Sequence, residues 1–146
     1  MIALARPLLA TTLGAAVMLA GYRVEAPEAT STAIGPGTVT VDINIHHSRF
    51  DPDELVVHEG TLVRFVIHNG DPIRHEFVLG PPEVHALHQG GTEALHPPVP
   101  GEVSLDPGET AETIYVFDAP GHFEYMCHLP GHAQYGMRGT VHVQAE

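Results

Sequence analysis

The sequence contains no lysine, no tryptophan and only one cysteine. The shortage of basic residues excludes one class of function, and the shortage of cysteine excludes one kind of cross-link. Its 6 basic residues, all arginine, face 18 acidic residues, which gives a formal net charge of −12 at pH 7. Such a chain has no basic footprint for nucleic acid, so binding to DNA or RNA is excluded. A single cysteine also excludes an internal disulfide. The acidity suits positively charged partners, including a basic protein surface, although a solvated acidic surface that binds no partner is the alternative that charge alone favours.

Long apolar runs are also scarce. The stretch from Leu8 to Ala20 follows Arg6 and has about the length of the apolar part of an export signal. It predicts a signal peptide over residues 1–26, with a retained N-terminal anchor as the alternative. Residues 27–37 contain Pro, Ser and Gly and are typical of a flexible linker. We therefore expect a periplasmic or extracellular protein that contacts a membrane only if the first segment is retained.

The remaining chain, residues 38–146, is long enough for one domain with one core. Val39, Val41, Ile43 and Ile45 alternate with polar residues, which predicts a strand with one buried face. Further short apolar runs lie at residues 55–58, 62–68, 73–79, 103–105, 113–117, 122–126 and 140–143. Turn residues separate them, and this pattern predicts an all-β sandwich. A long insert, about residues 80–102, interrupts the strands with several prolines and three histidines, and residues 83–89 are expected to form one or two helical turns.

The only cysteine, Cys127, lies on a short stretch that also carries His132 and Met137 at intervals of five residues. Thiolate and thioether ligands favour copper, and two His, one Cys and a weak axial Met form the blue-copper arrangement. The second histidine must come from elsewhere, and His75, in an upstream apolar run, is the best candidate. Zinc is the alternative metal, although its structural sites usually gather several cysteines and have little use for methionine.

Cys127, His132 and Met137, followed by Arg-Gly-Thr-Val and combined with His75, resemble the cupredoxins, the small blue-copper proteins. The resemblance covers about residues 38–146. It implies a Greek-key β-sandwich that holds one type 1 copper, with His75, Cys127 and His132 as equatorial ligands and Met137 as the axial ligand. It implies single-electron transfer between redox partner proteins. Copper binding or sequestration in periplasmic copper homeostasis or resistance is the alternative function.

Three residues close to these ligands in the sequence are candidates for shaping the site. Gly136 lets the loop fold tightly, and the N–H of Leu129 can donate to the Cys127 sulfur. Glu76 directly follows His75, where many cupredoxins have asparagine. This departure leaves the hydrogen-bonded link between the two ligand loops unassigned.

The histidines of the insert are candidates for a second metal site. His85 and His88 are three residues apart, which places both on one face of a helical turn. Together with His96 they could hold a second metal ion, such as a further copper. The alternative is a solvated loop whose histidines bind nothing specific.

No enzymatic activity is expected. The ligand spacing is also similar to that of multicopper oxidases, which bind a trinuclear copper cluster through His residues on both sides of the Cys. Here Met126 precedes Cys127, and the sequence contains no His-x-His pair. An oxidase or nitrite reductase role is therefore disfavoured, and His128 is predicted to be an exposed or hydrogen-bonded loop residue.

Overall fold

The structure is a computed structural model that describes residues 37–89 and 98–145. The predicted signal peptide and nearly all of the predicted linker, residues 1–36, lie outside the described residues, as does the part of the insert that contains His96. The described strands are β1 (Gly37–Ile45), β2 (Phe50–Asp51), β3 (Glu54–His58), β4 (Thr61–Asn69), β5 (His75–Gly80), β6 (Glu102–Leu105), β7 (Thr110–Phe117), β8 (Gly121–Met126) and β9 (Arg138–Gln144). One helix, α1 (Pro82–Gln89), follows β5.

The strands form two sheets. One sheet has the order β2-β1-β4-β7 and the other has the order β3-β9-β8-β5-β6. β1 runs parallel to β4, and β3 runs parallel to β9, while the other pairs are antiparallel. The predicted all-β sandwich is confirmed.

The core lies between the two sheets and follows the predicted alternation. Val63, Phe65 and Ile67 are fully buried on one side of β4. The second sheet contributes Phe77 and Tyr125, whose rings stack with centroids 5.3 Å apart. Removing a side chain of this size from water stabilises the fold by about 1.5–3 kcal/mol.

Phe50 lies in a short strand, whereas the sequence predicted a turn at this point. It pairs with Ile45 at the end of β1. Its ring packs edge-on against Phe77 and Tyr125, at centroid distances of 5.8 and 5.3 Å. The burial of this aromatic side chain explains why the segment joins the sheet.

The insert after β5 begins with a helix. Pro82 occupies its first position, where the missing N–H of proline costs no hydrogen bond. The helix covers residues 82–89 and so confirms the predicted helical turns. No helix within residues 37–89 and 98–145 is long and apolar enough to cross a membrane.

The pairing of β5 with β8 places the candidate ligands together. The two strands are antiparallel, and Val78 lies opposite Met126, the last residue of β8. The beginning of β5 therefore lies beside the residues that follow β8. His75 begins β5 and Cys127 follows β8, so the strand register brings two distant segments of sequence to one end of the sheet.

Candidate metal centre

Three of the predicted ligands converge at this end of the sandwich. One ligand atom each from His75, Cys127 and His132 lies within 4.8 Å of the others. The Cys127 sulfur is 3.2 Å from Nδ1 of His132, which is itself 3.2 Å from Nδ1 of His75. His75 and Cys127 are fully buried. Burial lowers the pKa of His132, and His75 lowers it further, which favours the neutral imidazole that binds metals.

Met137 lies at the end of the same loop and is fully buried in the core. Its backbone N–H donates to the carbonyl of His132 at 3.0 Å, and its carbonyl accepts from the N–H of Cys127 at 3.2 Å. The loop is thus closed on itself by two bonds that join Met137 to both ligands. Gly136, just before it, adopts a φ of 93°, which only glycine tolerates easily.

Asp71 orients His75, a role that no local pattern in the sequence indicates. Its Oδ2 lies 3.0 Å from Nε2 of His75 and accepts from the N–H of Ser48 at 2.7 Å, while Oδ1 accepts from the N–H of His47 at 2.7 Å. Burial by itself raises the pKa of Asp71, but the hydrogen bonds from Ser48, His47 and His75 outweigh it and the net pKa is lowered. The resulting carboxylate accepts a hydrogen bond from the N–H at Nε2 of His75 and leaves Nδ1 free to face the centre.

Asn69 holds the turn that carries Asp71 in place. It is 3% exposed, and its amide nitrogen donates to the carbonyls of Ile73, Leu105 and Asp106 at 2.9–3.3 Å. Its Oδ1 accepts from the N–H of Asp71 at 3.0 Å. The turn between β4 and β5 was predicted only as a turn, because an asparagine followed by Gly-Asp-Pro carries no local signal for these tertiary bonds.

A backbone hydrogen bond to the Cys127 sulfur links the two segments that carry the ligands. The N–H of Glu76 donates to it at 3.4 Å, so the backbone of this residue supplies the link that its side chain left unassigned. Burial raises the pKa of the Cys127 thiol to about 11, against the lowering effect of the N–H groups of Glu76 and Leu129. A thiolate in this dry site needs a metal ion to stabilise it.

These residues suit copper. Two imidazoles and a thiolate in one cluster are the equatorial set of a type 1 site, and zinc sites rarely use this combination with methionine. When bound, copper supplies one-electron redox chemistry. The protein holds the ligands in place through Asp71, Glu76 and the closed loop, and it keeps water from the buried sulfur.

The structure groups the histidines of the second predicted metal site differently from the prediction. His85 and His88 lie on α1 as expected, but His96 is outside the described residues. Their neighbour is His128: its Nε2 is 3.0 Å from Nδ1 of His85, and its ring stacks on that of His88 at 5.3 Å. Burial lowers the pKa of His128 to about 4, with further lowering by His85 and His88. His128 is half-buried and hydrogen-bonded.

The chain belongs to the family described as "Copper binding proteins, plastocyanin/azurin family", whose pattern matches residues 37–144. The cupredoxin resemblance and the copper cofactor are thereby confirmed.

Curated relatives and solved structures agree with this membership. "Copper-resistant cuproprotein CopI" of Rubrivivax gelatinosus is 39% identical over 99 residues, and the match covers 66% of this chain and 60% of that protein. The protein of the same name from Pseudomonas aeruginosa is 28% identical over 137 residues, covering 72% of this chain and 76% of that one. Auracyanin B superposes with a TM-score of 0.60 at 26% identity, covering 75% of this chain and 90% of the other.

Proposed function

We propose that this protein is an exported copper-resistance protein that binds one copper ion at His75, Cys127, His132 and Met137. The observation that carries the proposal is the convergence of two imidazoles, one of them fully buried, on the buried and only thiol of the chain. Relatives named for copper resistance support the physiological role. Because the chain matches 60% of the length of the Rubrivivax relative, the role of that whole protein is carried over as a proposal only.

Export forms part of the proposal. The apolar stretch from Leu8 to Ala20 supports it, since its length suits a signal peptide. A copper-binding thiol is also better protected from oxidation in an oxidising compartment when the metal ligates it. Fractionation of cells that produce the tagged full-length chain tests this point, and recovery of the protein in the cytoplasm alone would contradict it.

The central experiment compares copper tolerance in cells. A strain that lacks the gene should lose growth at elevated copper, and the wild-type chain should restore it. The Cys127→Ser variant should fail to restore growth and should lack the strong colour of sulfur-to-copper charge transfer. A matched control is Ser104→Ala, an exposed position on β6 outside the site. Full rescue by the colourless Cys127→Ser protein would overturn the proposal.

Electron transfer is the second candidate function. Ligands held by Asp71, Glu76 and the closed loop would change little between the two oxidation states, which suits rapid electron exchange. The partner would be a redox protein with a basic surface, since this chain is strongly acidic. Unchanged copper tolerance in the deletion strain, together with a block in a respiratory or photosynthetic chain, would favour this role over resistance.

Neither candidate includes catalytic turnover. Met126 occupies the position before Cys127, and the sequence has no His-x-His pair with which one chain could build a trinuclear copper cluster. An assay of the copper-loaded protein for oxygen or nitrite reduction should show no multiple turnovers. Sustained turnover would contradict this part of the proposal.

A further inference from the structure

A second set of imidazoles lies on the other side of the Cys127 loop, against α1. His85 projects from the helix and is 3% exposed, and His128 directly follows Cys127 in sequence. Nδ1 of His85 and Nε2 of His128 face each other at 3.0 Å. This separation is close to the 3.2 Å between the Nδ1 atoms of His75 and His132 in the type 1 centre.

The tautomer of His85 is determined by its buried partners. Its Nε2 lies 3.2 Å from the carbonyl of Gly80 and 3.0 Å from the carbonyl of Glu124. Carbonyl oxygens only accept hydrogen bonds, so Nε2 carries the proton. Nδ1 of the neutral ring therefore presents its lone pair to His128. His75 is organised in the same way, with one nitrogen held by Asp71 and the other turned to a second imidazole.

His88 supplies a third imidazole beside this pair. Its ring stacks on that of His128 with planes 26° apart. Its Nδ1 lies 2.9 Å from the carbonyl of Val84, and its Nε2 lies 3.3 Å from Oε2 of Glu102. His88 thus flanks the pair through its ring, while its two nitrogens contact Val84 and Glu102.

An open cleft leads to these residues. It has a volume of about 700 Å³ and is lined by His88, Met126, Cys127, His128 and the loop that follows. His85, which is 3% exposed, does not line it. A hydrated ion can therefore reach His128 from solvent.

We propose that His85 and His128 bind a second metal ion, Cu(II), beside this cleft, with His88 at its edge. Imidazole suits several divalent metals, and copper binds most tightly among them. An ion about 2.0 Å from two nitrogens that are 3.0 Å apart holds them at roughly a right angle. That angle fits neighbouring positions in tetragonal Cu(II). A linear two-coordinate Cu(I) would instead separate the nitrogens by about 4 Å.

Metal binding at His85 and His128 follows from the geometry of these residues and does not depend on a role in copper resistance. Its position has one consequence for the type 1 centre, because the two ions would be joined covalently through the Cys127–His128 peptide bond. The competing explanation of the 3.0 Å contact is a direct hydrogen bond between two neutral rings, which requires no metal.

The test is a Cu(II) titration of the purified protein, followed by visible and electron paramagnetic resonance spectroscopy. The wild type should bind two equivalents. One should be strongly coloured through sulfur, and the other should show only the weak absorption of Cu(II) bound by nitrogen, with magnetic coupling to at least two imidazole nitrogens. His85→Ala and His128→Ala should each weaken the second equivalent by on the order of 100-fold, since loss of a direct ligand costs at least as much as loss of its outer support. The coloured site should remain.

The matched control is the double variant His122→Ala, His142→Ala. These two rings also pack together, with centroids 4.6 Å apart, but their planes stand at 88° on the far part of β8 and β9. The control should keep both equivalents.

A single equivalent in the wild type, no imidazole coupling to the second copper, or equal losses in the control and the two test variants would each overturn the proposal. Stronger competition by Zn(II) than by Cu(II) would overturn the copper assignment. The imidazole coupling is measured on the wild type, so the test remains decisive if a variant fails to fold.

Discussion

At the scale of single residues, the centre depends on side chains that do not touch the metal. The two carboxylate oxygens of Asp71 accept hydrogen bonds from three donors. They thereby determine which nitrogen of His75 faces the other ligands. Met137 is buried at the end of the loop, where the family resemblance makes it the weak axial ligand. The first residue controls ligand orientation, and the second is expected to control the potential.

Asp71→Asn should weaken copper binding by about 10- to 100-fold, the usual cost of losing an outer partner of a metal-bound histidine. The amide offers one acceptor oxygen, so its NH₂ group must face a donor from His47, Ser48 or His75. Competition against a chelator measures the affinity.

Asp42→Asn is the control for this change, because Asp42 also contacts a histidine nitrogen, at 3.1 Å from His68, but on the exposed face of β1. It should leave the affinity unchanged. Wild-type affinity in Asp71→Asn would show that Asp71 does not orient His75.

Met137→Gln should lower the reduction potential while copper stays bound. An amide oxygen is a harder donor than a thioether and stabilises Cu(II) relative to Cu(I). Met137→Leu removes the donor and should shift the potential upward. Voltammetry on the two variants measures the opposite shifts, and loss of copper from the Gln variant at ordinary concentrations would count against an axial role.

At the scale of elements, the site depends on the pairing of β8 with its neighbours. β8 lies between β5 and β9, and its last residues lead directly to Cys127. Tyr125 anchors this strand: its ring is fully buried, and its hydroxyl donates to the carbonyl of Pro52 at 2.7 Å. Opposite it on β9 is Gly139, whose missing side chain leaves room for the ring.

Gly139→Ala should therefore destabilise the fold by at least about 2 kcal/mol, within the range for overpacked cores. The new Cβ would collide with the Tyr125 ring, which cannot move because it stacks on Phe77 at 5.3 Å. Urea unfolding of the metal-free protein measures the loss. Thr140→Ala, the next position on β9, is the control and should cost less; equal stabilities for wild type and Gly139→Ala would contradict this account of the packing.

At the scale of the whole molecule, charge should govern how fast electrons leave the copper for a charged oxidant. The net charge of −12 attracts cations and repels anions over distances that salt screens. Oxidation of the reduced copper protein by a cationic metal complex should slow by roughly tenfold as ionic strength rises from low to near-physiological values. Oxidation by an anionic complex should accelerate over the same range.

Stopped-flow measurements with the two reagents check this prediction, and each reagent serves as the control for the other. The same salt dependence with both would mean that the surface beside the copper site does not share the charge of the molecule. The comparison needs no knowledge of the natural redox partner.

The sequence by itself determined the ligand types and the all-β class. Cys127, His132 and Met137 are close in the chain, so their chemistry is visible without a fold, and alternation along β1 and β4 shows which face is buried. His75 was assigned through its place in an upstream apolar run. Spacing of three residues also placed His85 and His88 on one short helix.

Only the tertiary structure decided the contacts between segments. Asp71 meets His75 because the turn after β4 is held by Asn69, and the N–H of Glu76 reaches Cys127 because β5 and β8 pair in one register. His85 meets His128 because α1 packs over the end of β8. Each contact joins residues whose separation in space depends on strand register and helix placement. These are set by packing across the whole core, which no local pattern in the sequence records.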